Sequence, residues 1–237
     1  MLKRRYLSAL IPIYALILCM VLIASLITSK TVTVLNENAS LTNRKCVIID
    51  AGHGGTDGGA TSCTGVLESS INLEIALRLE DLMHLLGIDT VMIRRTDTSI
   101  HTQGSSIAAK KVSDLKQRVK IVNETDNATL ISIHQNYFSD NRYDGAQVFY
   151  SSTGDLLANS LQSAFVRTLN KSSNRKAKKA DGIYLMQNIR CPGVLVECGF
   201  LSHSEEEAKL RSQSYQKKLC CVIAATTSLY LKTDTIA

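Results

Sequence analysis

Residues 47–60 read V-I-I-D-A-G-H-G-G-T-D-G-G-A, and the fold is decided on this stretch. The apolar run Val47-Ile48-Ile49 stops at Asp50, and His53 then sits among five glycines. A short apolar run bounded by glycine predicts a strand buried on both faces, as in a parallel sheet. The glycines predict a loop at its carboxyl end, where the backbone can take positive φ and come close to a ligand. In open α/β sheets, sites are built along that edge. A plain tight turn with His53 at the surface fits the same pattern, so the loop alone leaves both readings open.

Outward from this stretch, strand and helix patterns alternate. Ile71, Ile75, Leu79, Leu82 and Leu86 have helical spacing over 69–86, and Gly87 closes that helix. Residues 90–93 (T-V-M-I) read as the second strand and 98–112 as a long polar loop. Ser113 is expected to cap a helix to about 124, followed by a third strand at 129–134 (T-L-I-S-I-H). Strands are further expected at 146–150, 182–186 and 194–197, and helices at 156–169 and 215–231. Repeated β–α units predict an α/β fold: one domain with a twisted, mainly parallel sheet covered by helices on both faces.

At 237 residues the chain can hold one such domain and an appendage. Lys3-Arg4-Arg5 precedes an uncharged, mostly apolar span over 6–27, long enough to cross a bilayer as a helix despite Pro12. Leu26 and Ile27 interrupt any small-x-small cleavage site, and Cys19 follows Leu18 rather than the small residue a lipoprotein site needs. Residues 1–28 are therefore expected to be an uncleaved signal anchor and 29–44 a polar linker. Residues 45–232 form the expected extracytoplasmic domain. Of the net charge of +6, four positive charges fall in residues 1–30, which carry no acid, so only +2 remains elsewhere. That is no nucleic-acid footprint.

The basic run 171–179 (K-S-S-N-R-K-A-K-K) reads as a solvated loop, with a flap that meets an anionic polymer as the alternative. The seven cysteines (19, 46, 63, 191, 198, 220, 221) show neither C-x-x-C nor zinc-finger spacing. Cys198, inside an apolar strand, and Cys220-Cys221, on a helical pattern, read as small buried hydrophobes. Disulfides are open to an exported protein, but no pairing is assigned.

Four residues carry candidate chemistry. His53 follows the first strand, Glu68 begins the next helix, His134 ends the third strand, and Glu197 ends V-L-V-E. Parallel strands deliver their carboxyl ends to one edge, so the four can converge. Two histidines and one glutamate make a catalytic zinc set with a position left for water. Zinc acidifies that water and polarises a carbonyl, and a further carboxylate then handles the proton. Taken singly, Glu68 also fits a helix-start acid and His134 a strand-end histidine. The absence of H-E-x-x-H argues against a zincin peptidase.

Together with G-V-L-E-S-S-I-N-L-E-I-A (65–76), R-R-T-D (94–97), I-S-I-H-Q-N (131–136) and V-L-V-E-C-G-F-L-S (194–202), the opening stretch resembles a known family. It looks like the zinc-dependent N-acetylmuramoyl-L-alanine amidases of the amidase 3 type, bacterial cell-wall hydrolases, over residues 46–231. The resemblance implies one Zn2+ on His53, Glu68 and His134, with Glu197 catalytic. It implies peptidoglycan strands with stem peptides as substrate, cut between the lactyl group of N-acetylmuramic acid and L-alanine. Asn136 would help to orient the site. Ala51, Ser69, Gln135 and Cys198 depart from the commonest pattern but remove neither a ligand nor the base. The single anchored domain and I-H-T-Q-G (100–104) resemble the sporulation amidases that form muramic-δ-lactam in spore cortex. That would place the protein in the forespore intermembrane space or cell wall. Segments 98–112 and 171–179, flanking the expected cleft, suggest a protein activator. Two alternatives are a non-catalytic wall-binding scaffold and a zinc hydrolase acting on another amide.

Overall fold

The computed structural model describes Met20 and residues 45–140, 143–171 and 173–233. The expected anchor at 1–28 (Met20 apart), the linker at 29–44 and Cys19 lie outside the described residues. In chain order the elements are β1 (Cys46–Ala51), α1 (Glu68–Leu85), β2 (Asp89–Met92), α2 (Ile107–Glu124), β3 (Ala128–Asn136), β4 (Gln147–Tyr150), α3 (Asp155–Thr168), β5 (Lys178–Lys179), α4 (Tyr184–Asn188), β6 (Gly193–Phe200), α5 (Ser204–Arg211) and α6 (Gln213–Thr233). The six strands form one sheet in the order β2-β1-β3-β6-β4-β5. Pairing is parallel through β2, β1, β3 and β6, then β4 runs antiparallel to β6 with β5 parallel to it.

The uninterrupted Val-Ile-Ile of β1 has a physical cause. Its side chains point alternately to two covered faces, so both parities of the run are apolar. Val47 and Ile49 join a cluster with Ile75 and Leu79 of α1, Leu161 of α3 and Ile223 of α6. Ile48 faces the other way, into a cluster with Val122 of α2 and Leu185 and Met186 of α4. Helices on both faces of a mainly parallel sheet are thus observed. Among the described residues no helix is long and apolar enough to cross a membrane.

Several local expectations are corrected. The helix expected to be capped by Ser113 is capped seven residues earlier by Ser106, whose hydroxyl accepts from the Ala109 N–H at 3.2 Å. Its buried positions are Ser113, Asp114, Arg118 and Val122, so its inner face is largely polar and gives little hydropathy signal. Ser113 sits inside the helix, accepting from the Thr102 N–H at 3.1 Å and the Gln103 N–H at 3.3 Å. The strand expected at 182–186 is the short helix α4, entered through Gly182 at φ 80°. An apolar run this short carries too few residues for its period to decide.

The basic run is not wholly a loop. Lys178–Lys179 form the edge strand β5 beside Phe149 and Tyr150, and exposed lysines on an edge discourage pairing with other chains. Helix α5 was not anticipated because its sequence, S-E-E-E-A-K-L-R, is polar nearly throughout. The six cysteines among the described residues are free thiols. Cys198 and Cys220 are buried as expected, whereas Cys221 is exposed on the outer side of α6.

Candidate active site

The carboxyl ends of β1, β3 and β6 deliver His53, His134 and Glu197 to one edge, and α1 begins there with Glu68. One ligating atom each of His53, Glu68 and His134 lies within 4.8 Å of the others. The carboxylate stands between the rings, with Oε2 3.3 Å from Nε2 of His53 and Oε1 3.0 Å from Nδ1 of His134. The rings meet edge to face at 5.0 Å. Glu68 is fixed from behind by the Ala60 N–H at 3.0 Å, the Gln135 N–H at 3.1 Å and the Asn72 amide at 3.2 Å.

Two glycines are required by this crowding. A Cβ on Gly52 would lie 2.2 Å from Nε2 of His134, so the imidazole rests directly on the backbone of the loop. A Cβ on Gly59, at φ +70°, would lie 2.5 Å from Oε2 of Glu68. His53 itself has φ 60°, a left-handed conformation uncommon for residues other than glycine, though Asn, Asp and His adopt it more often than most. The loop therefore stores strain where it presents a ligand.

Glu197 lies directly across from His134 in the β3–β6 ladder. Its Oε2 is enclosed and has no hydrogen-bond partner. Burial pushes its carboxyl up to about 7; nearby Glu68 adds to the rise, and His134 and His53 oppose it. Burial works against the charge on His53, yet its bonds to Asp57 and Glu68 and the charges of both raise it to about 9. Burial likewise disfavours ionised Glu68, but hydrogen bonds from His134 and His53 hold it well below the usual carboxylate range. Two imidazoles converging on an anionic carboxylate are a donor set that zinc accepts.

The loop is gripped from behind by two arginines that the sequence reading passed over. Arg94 donates to the carbonyls of Ala51 at 2.8 Å, Gly52 at 3.0 Å and Ser69 at 2.8 Å. Arg118 of α2 donates to Asp50, to the Ala51 carbonyl at 3.0 Å and to the His53 carbonyl at 2.7 Å. Only R-R-T-D hinted at either, through a resemblance rather than a stated role. Asp57 was also missed; it meets Nδ1 of His53 at 2.9 Å. No hydrogen bond joins the Asn136 side chain to the four central residues, and its carbonyl accepts from the Leu201 N–H at 2.8 Å. Gln135, a departure from the commonest family pattern, instead braces the site by donating to Asn72 at 3.1 Å. A cleft of about 270 Å3, bordered by His53, His134, Lys111, Tyr184 and Leu195, opens beside the cluster.

Comparison with known proteins places this geometry. Residues 47–226 match the Amidase_3 family, N-acetylmuramoyl-L-alanine amidase. The germination-specific N-acetylmuramoyl-L-alanine amidase of Bacillus subtilis is 38% identical over 183 residues, which are 76% of this chain and 76% of that protein. Among solved structures, the CwlD amidase from Clostridioides difficile, in complex with the GerS lipoprotein, superposes with a TM-score of 0.77 at 34% identity. That match covers 80% of this chain and all of the other. The catalytic domain of CwlV from Bacillus (Paenibacillus) polymyxa var. colistinus gives 0.68 at 28% identity, over 79% of this chain and 98% of that one. The chain therefore belongs to the Amidase_3 family and is an N-acetylmuramoyl-L-alanine amidase, acting on cell-wall peptidoglycan.

Proposed function

We propose that the chain is a zinc amidase whose His53, Glu68 and His134 hold one metal ion and whose Glu197 is the general base. The observation that carries this reading is the convergence of those three donors beside a carboxylate oxygen with no partner. When bound there, zinc supplies Lewis acidity toward water and the scissile carbonyl. Glu197 takes a proton from water as oxygen adds to the lactyl carbonyl carbon. It then delivers that proton to the alanine nitrogen as the C–N bond breaks. Burial raises the Glu197 carboxyl and a bound zinc ion would favour its charged form, and the two opposed influences suit a group that takes and then returns a proton. Gly52 and Arg118 keep the loop in place, so the residues need not reorganise during the reaction.

Incubation of the purified protein with peptidoglycan is expected to release stem peptides with free L-alanine amino termini. A wall-binding scaffold releases none, and a hydrolase of another amide leaves other termini. In the same preparation His134→Ala is expected to drop zinc content from one ion per chain to near zero. Unchanged stoichiometry would remove His134 from the ligand set.

The biological setting we infer is the spore cortex, where removal of stem peptides precedes muramic-δ-lactam formation. The germination-specific relative and the CwlD fold support it. The presence of a lipoprotein in that relative's structure supports a protein activator here. The sequence over 1–28 supports a signal anchor and 29–44 a linker, leaving 45–232 as the catalytic domain outside the cytoplasm. In the native host the protein is expected in the membrane fraction with residues 6–27 retained. A mature amino terminus near residue 30 would overturn the anchor.

A further inference from the structure

We propose that Asp57, backed by Lys111, is a positioning residue: it selects Nε2 of His53 as the metal-facing nitrogen and sets how tightly the site holds zinc. The inference rests on the zinc reading above. It starts from an asymmetry between the two histidines. Nδ1 of His53 lies 2.9 Å from Oδ2 of Asp57, while its Nε2 faces Oε2 of Glu68 at 3.3 Å. An ionised carboxylate only accepts, so with a metal held between Nε2 and Glu68 the ring hydrogen would sit on Nδ1, facing Asp57, and the lone pair on Nε2. His134 is turned the other way. Its Nδ1 faces Glu68 at 3.0 Å, and its Nε2 side packs on Gly52, with no carboxylate hydrogen-bonded to Nε2 among the described residues. Of the two rings, His53 is the one hydrogen-bonded to a carboxylate beyond Glu68.

Asp57 is placed for this role by the loop itself. Gly54 and Asp57 exchange main-chain hydrogen bonds of 2.8 and 3.2 Å, so residues 53–57 fold back and return the carboxylate to the His53 ring. These bonds use backbone atoms and survive any change of the Asp57 side chain. Oδ1 of Asp57 accepts from the Gly59 N–H at 3.4 Å, and Lys111 Nζ lies 3.3 Å from the carboxylate. Lys111 belongs to α2, whose Asp114 and Arg118 lie three and seven residues on, on the same helix face. Arg118 holds the His53 carbonyl at 2.7 Å. One helix thus fixes His53 twice, by its main chain through Arg118 and by its ring through Lys111 and Asp57. A residue at φ 60° has an incentive to relax, and both restraints oppose that. A carboxylate behind a ligating histidine fixes ring orientation and raises ligand basicity, and its loss typically costs about 10–100-fold in metal affinity.

Zinc affinity of the full-length chain, read by competition with a chromogenic chelator, tests this without an activity assay. Asp57→Ala is expected to weaken zinc binding about 10–100-fold. Asp57→Asn should weaken it less, because the amide oxygen still accepts from Nδ1–H, and Lys111→Met least. Nitrogen-15 spectra of the zinc-loaded wild type should show the His53 proton on Nδ1, a readout that a merely structural residue would not fix. Circular dichroism of each metal-free variant checks folding, and if Asp57→Ala does not fold, Asp57→Asn decides. Zinc binding within twofold of wild type in the folded Asp57 variants, or a His53 proton on Nε2, would overturn the proposal. A wild-type chain that takes up no zinc would instead overturn the ligand set and this inference with it.

Discussion

Glu197→Gln is expected to lower peptidoglycan hydrolysis by about 100-fold or more, as loss of general acid–base catalysis does, while zinc content and folding stay near wild type. The substitution keeps the shape and hydrogen-bonding capacity of the side chain and removes only its ability to take a proton. Little structural damage should follow, since Oε2 of Glu197 makes no hydrogen bond that the amide would disrupt. A neutral amide is also cheaper to enclose than a carboxylate, so stability is expected to hold or rise slightly. Release of stem peptides, zinc content and thermal unfolding measured on one preparation separate the cases. Zinc lost with activity would make Glu197 a ligand. Activity retained would remove it from the mechanism.

Arg118→Met should cost more stability than any substitution on the helix's outer face. Arg118 is 2% exposed and Asp50 1%. The guanidinium also meets Oδ2 of Asp114 at 2.5 Å. Stripping one partner from a buried ion group leaves the others uncompensated, at a cost of about 3–5 kcal/mol. Asp50 would keep only the Ser132 hydroxyl, at 2.6 Å. A urea midpoint lowered at unchanged slope is the expected signature. Adding Asp50→Leu should recover part of the loss, because an apolar pair avoids the stranded charge.

The pH response follows from the same group. Burial pushes Asp50 up, but Arg118 and the Ser132 hydroxyl outweigh it and hold the carboxyl below its ordinary 3.8. A carboxyl depressed in the folded state gives stability that is complete above the unfolded value, near pH 4, and lost as pH falls through the folded one. Wild-type stability should therefore decline below about pH 4. In Arg118→Met, where burial acts unopposed by the guanidinium, the Asp50 carboxyl is pushed up instead, so this group's contribution changes sign and stability should rise as pH falls from neutral toward 4.

How much of this was legible in the sequence depended on which residues carried the pattern. β1, β3 and β6 announced themselves because a strand covered on both faces carries an apolar run along most of its length. His53, Glu68, His134 and Glu197 could then be brought together from strand ends alone. The start of α2 was hidden because the helix buries Ser113, Asp114 and Arg118, and hydropathy does not register a polar face turned inward. α4 was hidden by its length. Arg94 and Arg118 were invisible for a deeper reason. Their partners are largely main-chain carbonyls of the glycine loop, and a carbonyl leaves no trace in the identity of a residue. Asp57 was inside the stretch quoted first, but its bond to His53 depends on the left-handed turn between them.

The register of His134 against Glu197 has a consequence for how the site can move. Neighbouring strands in a ladder are held about 4.8 Å apart by their main-chain bonds, so the separation of these two residues is a property of the sheet. His53 has no such tie; its place depends on a folded-back loop, two arginines and a lysine. The site thus joins a wall held by sheet hydrogen bonds to a jaw held by side-chain restraints. Removing one of those restraints should therefore shift the jaw and leave the wall where the sheet sets it.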